Sequence, residues 1–253
     1  MGVVNITPDS FSDGGRFFDR DTAVAHARKL AEEGAQIIDI GGESTRPGSA
    51  PVSEQEEMER VLPVLAKLTD LCVSVDTRRP AVMKAALAAG ASMINDIQAL
   101  RAAGALDAVR DQNCAVCLMH MKGEPATMQQ EPHYDDVVGE VKTFLNERVA
   151  AAKAAGIAAE RLLVDPGFGF GKTAAHNLVL LKHLKKLDLG VPLLAGLSRK
   201  STLGKITGRA AEERLASSLA VALLALQGGA RILRVHDVKE TRDVIAVWEA
   251  SQR

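Results

Sequence analysis

The chain has 253 residues (26.9 kDa), 47% hydrophobic and 25% charged, with 31 basic and 32 acidic side chains for a formal charge of −1. That balance gives no general polyanion-binding surface, so nucleic acid and acidic membranes are poor partners. No apolar run reaches the roughly 18–20 residues of a membrane span, and three cysteines, an odd number, suit a reducing compartment.

The first residues turn polar and acidic at once, unlike a secretory leader, and the expectation is a soluble cytoplasmic protein. Along the chain, short β-branched apolar runs alternate with longer segments of helical period. The run at 2–5 leads to a helical segment at 22–33, the run at 36–40 to 54–69, and the run at 73–76 to 81–89. Runs at 92–95 and 115–119 precede a helix at 135–155; runs at 162–165, 193–195 and 231–235 follow, with helices at 212–227 and 238–250. Gly34, Gly90, Gly156 and Gly228 each stand between a helix and the next strand, as C-terminal caps do. The runs do not alternate in polarity, which suits strands buried on both faces. Eight such repeats predict a single-domain (β/α)8 TIM barrel over residues 1–253, an open doubly wound sheet being the competing arrangement.

Two motifs mislead if taken alone. Cys114 and Cys117 have C-x-x-C spacing, but in a strand residues i and i+3 face opposite sides, which makes them core cysteines rather than a metal or redox pair. The segment from Gly167 to Thr173 ends like a P-loop, yet Pro166 stands where that motif requires glycine. A glycine-rich strand-to-helix loop is the simpler reading.

Chemistry in a β/α barrel gathers where strands run out into βα loops. Those positions carry Asn5, Asp39, Asp76, Asn95, Met119 with His120, Asp165, Ser198 to Lys200, and Arg234 with His236. Any one of them is explicable as a loop cap, but eight polar strand ends converging on one rim point to a functional site. Asp76, Asn95, Asp165 and Lys200 offer acceptors and a donor suited to the edge of a flat heterocycle. Arg46, Arg234, His236 and Asn5 suit a phosphate group, with or without a metal.

The segment Asn5-Ile-Thr-Pro-Asp-Ser-Phe-Ser-Asp-Gly-Gly15 resembles the first signature of the dihydropteroate synthases, and Gly41-Gly-Glu-Ser-Thr-Arg-Pro-Gly48 resembles their second. SVDT at 74–77, IND at 94–96, LMHM at 118–121, DPGFGFGK at 165–172, SRKS at 198–201 and RVHD at 234–237 follow in the family's order, so the resemblance covers essentially the whole chain. Four residues precede Asn5, fewer than the family usually carries before this strand. The resemblance implies a transferase of folate biosynthesis, the sulfonamide target. Such enzymes condense 6-hydroxymethyl-7,8-dihydropterin diphosphate with p-aminobenzoate, giving 7,8-dihydropteroate and pyrophosphate by an SN1-like substitution in a barrel that usually dimerises. By motif, Asp76, Asn95, Asp165 and Lys200 are expected to hold the pterin, with Met119 and Phe170 against its ring. Asn5 is expected to bind magnesium, and Arg234 and His236 the diphosphate. Asn5, Lys200, Arg234 and His236 are thus the expected catalytic set. Ser201 at a helix start, with Phe11, Asp13, Thr45, Arg46 and Pro47 from two loops, is expected to enclose p-aminobenzoate. Two other readings are a methyltetrahydrofolate:corrinoid methyltransferase, which has no use for a diphosphate site, and a non-catalytic pterin-binding paralogue, which predicts a lost signature residue.

Overall fold

The computed structural model describes residues 1–6, 16–44, 52–125 and 127–253. Phe11, Asp13, Thr45, Arg46 and Pro47 lie outside the described residues. Six strands, β1 (Gly2–Asn5), β2 (Ile38–Gly41), β3 (Val73–Asp76), β4 (Met93–Asp96), β5 (Ala115–Met119) and β6 (Leu162–Asp165), pair in sequence order, all parallel. The short strands β7 (Leu194–Ala195) and β8 (Ile232–Leu233) pair with each other. Two bridges join the pieces: Val164 with Leu193, and Gly2 with Val235. Val164 N donates to Pro192 O at 3.0 Å, Val3 N to Val235 O at 3.1 Å and Val235 N to Met1 O at 2.9 Å. Strand 8 therefore returns to strand 1, and the sheet is a closed eight-stranded barrel rather than an open one.

The connecting helices are α1 (Arg16–Glu32), α2 (Glu54–Leu65), α3 (Pro80–Ala88), α4 (Ala105–Val109), α5 (Val137–Ala154), α6 (Ala174–Lys182), α7 (Ser201–Thr207), α8 (Leu215–Gln227) and α9 (Val238–Ser251). Their starts follow local chemistry. Ser53 Oγ accepts from Glu56 N and caps α2, Asp136 accepts from Val138 N and caps α5, and Thr173 and His176 form a reciprocal capping box on α6. The segment expected as one helix to residue 69 stops at Leu65, just past Pro63. Proline lacks the N–H that would bond Glu59 O, and Arg20 Nη2 serves that carbonyl instead at 3.0 Å. The glycine caps hold at Gly34, Gly90 and Gly156, all with positive φ, but after α8 the left-handed residue is Gly229. Gly228 keeps helical φ; a Cβ there would lie 2.9 Å from Leu184 Cβ, so packing rather than φ requires it.

The strands are buried on both faces, as their sequence implies, and only β2 and β3 alternate in polarity along their length. Val4, Ile38, Ile40, Val73, Val75, Ile94, Val116, Leu118, Leu162 and Val164 join the outer core between sheet and helices. The intervening positions face the barrel axis. At the bottom they form a separate apolar plug of Met93, Cys117, Leu163 and Leu194; towards the C-terminal rim they are Asp39, Ser74, Asp76, Asn95 and Asp165. Both faces are buried, but only the outer one is uniformly apolar. Cys114 belongs to the outer core and Cys117 to the inner plug, so the two sulfurs face apart and are core residues.

Candidate active site

Asp39 and Asp76 stand on neighbouring strands, two positions apart along the inner face, and Arg234 reaches them from beyond β8. Its Nε donates to Asp39 Oδ2 at 2.6 Å and its Nη2 to Asp76 Oδ2 at 3.0 Å. Asp39 is fully buried, and Asn95 Nδ2 donates to the same Oδ2 at 3.3 Å. Two carboxylates thus share one guanidinium inside the barrel mouth. Burial pushes the Asp76 carboxyl up to about 7; Arg234 pulls it down and Asp39 pushes it up. Burial also works against the Arg234 charge, but Asp39 and Asp76 outweigh it and hold the guanidinium above its ordinary value. The sequence alone places Arg234 at a phosphate and counts Asp39 among the polar strand ends without giving it a partner. The signal for Asp39 was present: an ionisable residue inside an apolar strand, in phase with the inner face.

Asn95 Oδ1, Asp39 Oδ1 and Ser74 Oγ are buried without a hydrogen-bond partner among the described residues. Buried polar atoms left in that state cost about 1–3 kcal/mol each. A ligand presenting N–H groups to Asn95 would offset part of that cost, which is the chemistry of a heterocycle edge.

The opposite wall is built by the loop after β6. Asp165 Oδ1 accepts from Gly167 N at 2.7 Å. Burial raises the Asp165 carboxyl, while the Gly167 N–H and the charges of Lys200 and Arg234 oppose the rise. Lys200 stands at the N-terminal boundary of α7 in extended conformation; its Nζ donates to Phe168 O and lies 4.4 Å from the Phe170 ring centre. Burial brings this ammonium down to about 8, against the pull of Asp165. The preceding residue, Arg199, sits at φ +56°, left-handed for a residue with a Cβ. Ser218 Oγ accepts its N–H at 3.0 Å, and Asp237 Oδ2 accepts its Nε at 3.0 Å. Backbone strain of this kind persists only where surroundings fix it, and here it aims Lys200 into the mouth.

The expected pterin residues Asp76, Asn95, Asp165 and Lys200 therefore do converge, with Met119 and Phe170 beside them. Met119 packs with Ile97, Met121, Met128 and Phe170 in a small apolar cluster at the rim. Asn5 pairs in register with Gly41, itself level with Asp76. His236 is tied to the seventh strand's loop, its N and Nδ1 at 3.2 and 3.1 Å from Ser198 Oγ. Ser201 is exposed at the first position of α7. Asp96, the residue after Asn95, is a loop cap: it accepts from Gln98 N and Leu100 N, both at 2.7 Å, and Arg148 donates to Ala99 O and Leu100 O. Those bonds hold Ala99 and Leu100 at φ +53° and +57°. The GFGFGK segment is not a phosphate loop. A Cβ on Gly167 would lie 1.8 Å from His120 O and one on Gly171 2.2 Å from Lys122 O, so these glycines let the loop lie directly on the chain leaving β5.

Residues 1–236 match the family model described as pterin binding enzyme. The dihydropteroate synthase of Escherichia coli (strain K12) is 50% identical over 255 residues, covering 99% of this chain and 90% of that protein. The Xanthomonas albilineans dihydropteroate synthase, solved with 4-aminobenzoic acid, is 58% identical with a TM-score of 0.94 over 100% of this chain and 92% of that one. The Yersinia pestis dihydropteroate synthase, solved in a sulfonamide drug complex, is 48% identical with a TM-score of 0.94 over 100% of this chain and 93% of that one. Barrel, polar rim and motif order are shared along the whole length: the chain belongs to the pterin-binding enzymes, among the dihydropteroate synthases.

Proposed function

We propose that the chain catalyses the condensation of 6-hydroxymethyl-7,8-dihydropterin diphosphate with p-aminobenzoate to 7,8-dihydropteroate and pyrophosphate, a transferase step of folate biosynthesis. The observation that carries this reading is the convergence of Asp76, Asn95, Asp165 and Lys200 around a buried mouth with unpartnered acceptors. Asp165 and Asn95 present acceptors to the N–H edge of the pterin, and Lys200 presents a donor to a ring oxygen or nitrogen. Met119 and Phe170 supply apolar contact to the ring faces.

In the reaction the C–O bond between the pterin methylene and the diphosphate breaks. The amine nitrogen of p-aminobenzoate then bonds to that carbon and loses a proton. Negative charge grows on the departing oxygen and positive charge on the pterin, so fixed cations at one end and acceptors at the other both favour the transition state. Arg234 serves both ends: two of its N–H groups hold Asp39 and Asp76, and a guanidinium has five. His236 stands with it on the diphosphate side. Ser201 takes the p-aminobenzoate carboxylate, with Phe11, Asp13, Thr45, Arg46 and Pro47 assigned to the same substrate.

Asn5 fits a magnesium ion carried in with the diphosphate. It offers one hard amide oxygen at the rim, and no group of three or more His, Cys, Asp or Glu side chains that would form a protein cage occurs among the described residues. Magnesium characteristically takes one or two protein oxygens and completes its shell with substrate phosphates and water. Bound there, it would add positive charge to the leaving group's oxygens.

Sulfonamides, as p-aminobenzoate mimics, should compete at the Ser201 end. We further infer a cytoplasmic homodimer. The helices α6, α7 and α8 pack together and leave Leu178, Val179, Ile206, Leu215 and Leu224 exposed, an apolar face suited to a second copy. Pyrophosphate release with purified protein tests the reaction: it should require both substrates and magnesium. Absence of release under those conditions overturns the proposal.

A further inference from the structure

Lys172 is the basic end of the GFGFGK segment, its amine driven well below the ordinary lysine value by burial, and nothing in the reaction above uses it. It is 2% exposed. Its Nζ donates to Gly167 O at 2.9 Å and to Phe170 O at 3.0 Å, and lies 2.9 Å from His120 Nδ1. Burying an amine is costly unless its N–H groups are met, and here three partners converge on one atom. His120 is itself buried against the edge of Phe144, and burial with the adjoining Lys172 brings its imidazole down to about 2, so it faces the amine as a neutral ring.

The contacts fall on both sides of the loop's working part. Gly167 and Phe170 bracket Phe168, whose carbonyl receives Lys200 Nζ, and Phe170 is the ring that lies under Lys200. Gly167 is also the residue whose N–H holds Asp165. Gly167, Gly169 and Gly171 all have positive φ, a backbone with little stiffness of its own. Asn177 Oδ1 and Tyr134 Oη tie the loop at Gly169 N and Gly171 O, on its outer part. Gln129 Nε2 donates to Gly169 O and Phe170 N to Gly167 O at 3.1 Å, but among the described residues Lys172 Nζ alone bonds both Gly167 O and Phe170 O, across Phe168.

We propose that Lys172 is a positioning residue for the pterin end of the site: its Nζ gathers Gly167, Phe170 and His120 so that Asp165, the Phe168 carbonyl and the Phe170 ring meet Lys200 and the ligand in fixed geometry. The inference rests on the pterin reading, and it makes the glycine-rich loop a ligand wall folded around an internal amine rather than a phosphate cradle.

The test uses Lys172→Met, which keeps the stem and removes the donors, on the full chain. Binding of 6-hydroxymethylpterin is measured by calorimetry, steady-state kinetics give KM and kcat, and hydrogen exchange is followed over residues 166–173. The variant should raise Kd for the pterin and KM for the pterin diphosphate by about tenfold or more. KM for p-aminobenzoate should stay within about twofold, and the 166–173 amides should exchange faster. A purely structural lysine would lower the melting temperature and leave both pterin constants unchanged in the folded protein; that result overturns the proposal. Lys172→Gln keeps two N–H donors on a shorter stem and should give a smaller rise, about threefold. If the methionine variant does not fold, an unchanged pterin Kd in the glutamine variant overturns the proposal equally. Wild-type chain that fails to bind 6-hydroxymethylpterin would sink the pterin reading itself, a separate outcome.

Discussion

Replacing Arg234 with methionine separates support from chemistry at the centre of the site. The side chain stands between Asp39, fully buried, and Asp76, with N–O distances of 2.6 and 3.0 Å. Removing one partner of a buried ion pair costs about 3–5 kcal/mol, because the remaining charge is left uncompensated. At about 2–4 °C per kcal/mol for a chain of this size, the melting temperature should fall by about 10 °C. Turnover should fall about 10²–10³-fold if the guanidinium also stabilises the departing diphosphate. Adding Asp39→Asn to the same chain removes one stranded carboxylate and should return much of the lost stability. It supplies no cation, so turnover should stay low. The assay is a four-member mutant cycle read by thermal melts and by pyrophosphate release. Turnover that recovers together with the melting temperature in the double variant would refute the diphosphate role and leave Arg234 as a support. Wild-type stability in the single variant would refute the buried pairing.

The raised Asp76 carboxyl makes a signed prediction. A folded-state value of about 7, above the ordinary 3.8, means that stability is fully present below about pH 4 and is lost as pH rises through 7. Asp76→Asn, which mimics the protonated form, should therefore gain melting temperature relative to the native chain as pH goes from 5 to 8; a constant difference would contradict the buried-carboxyl account. Two glycines with the same left-handed φ should differ sharply. Gly167→Ala drives a methyl against His120 O and should cost more than about 3 kcal/mol or prevent folding, whereas Gly190→Ala, with φ +72° and nothing within 4 Å, should cost only about 1–2 kcal/mol in urea titrations. Leu224, 49% exposed on α8, tests the dimer: Leu224→Glu should sediment as a folded monomer where the native chain sediments as a dimer, and an unchanged sedimentation coefficient would discard that face.

The barrel was legible in the sequence because each repeat states its own period. Val73 to Asp76 and Leu162 to Asp165 begin and end where the apolar runs do. What the sequence obscured was the two-sidedness of those runs. In Ile38 to Gly41 an aspartate stands inside an apolar run, and read by composition it looks like a strand buried on both faces with one exception. Read in register it is the inner-face residue, two positions before the rim, and Ser74 on the next strand shares its level. A closed barrel supplies a second interior with a chemistry of its own, which no single strand reveals.

The site divides along the same line. Residues that end a strand and face inward, such as Asp76, Asn95 and Asp165, could be read directly, because strand phase and strand end together fix where they point. Asp96 ends a strand too, but one residue further along it faces outward and accepts two backbone N–H groups, so one step of phase separates a side chain facing the mouth from a loop cap. The pairings of Asp39 and Lys172 escaped for a different reason. Each residue acts through a partner distant in sequence, Arg234 across 195 positions and His120 across 52. A local motif records which groups are present at a rim. It does not record which of them hold one another, and in this mouth that pairing decides whether Arg234 is a free anion clamp or the shared counter-charge of two buried carboxylates.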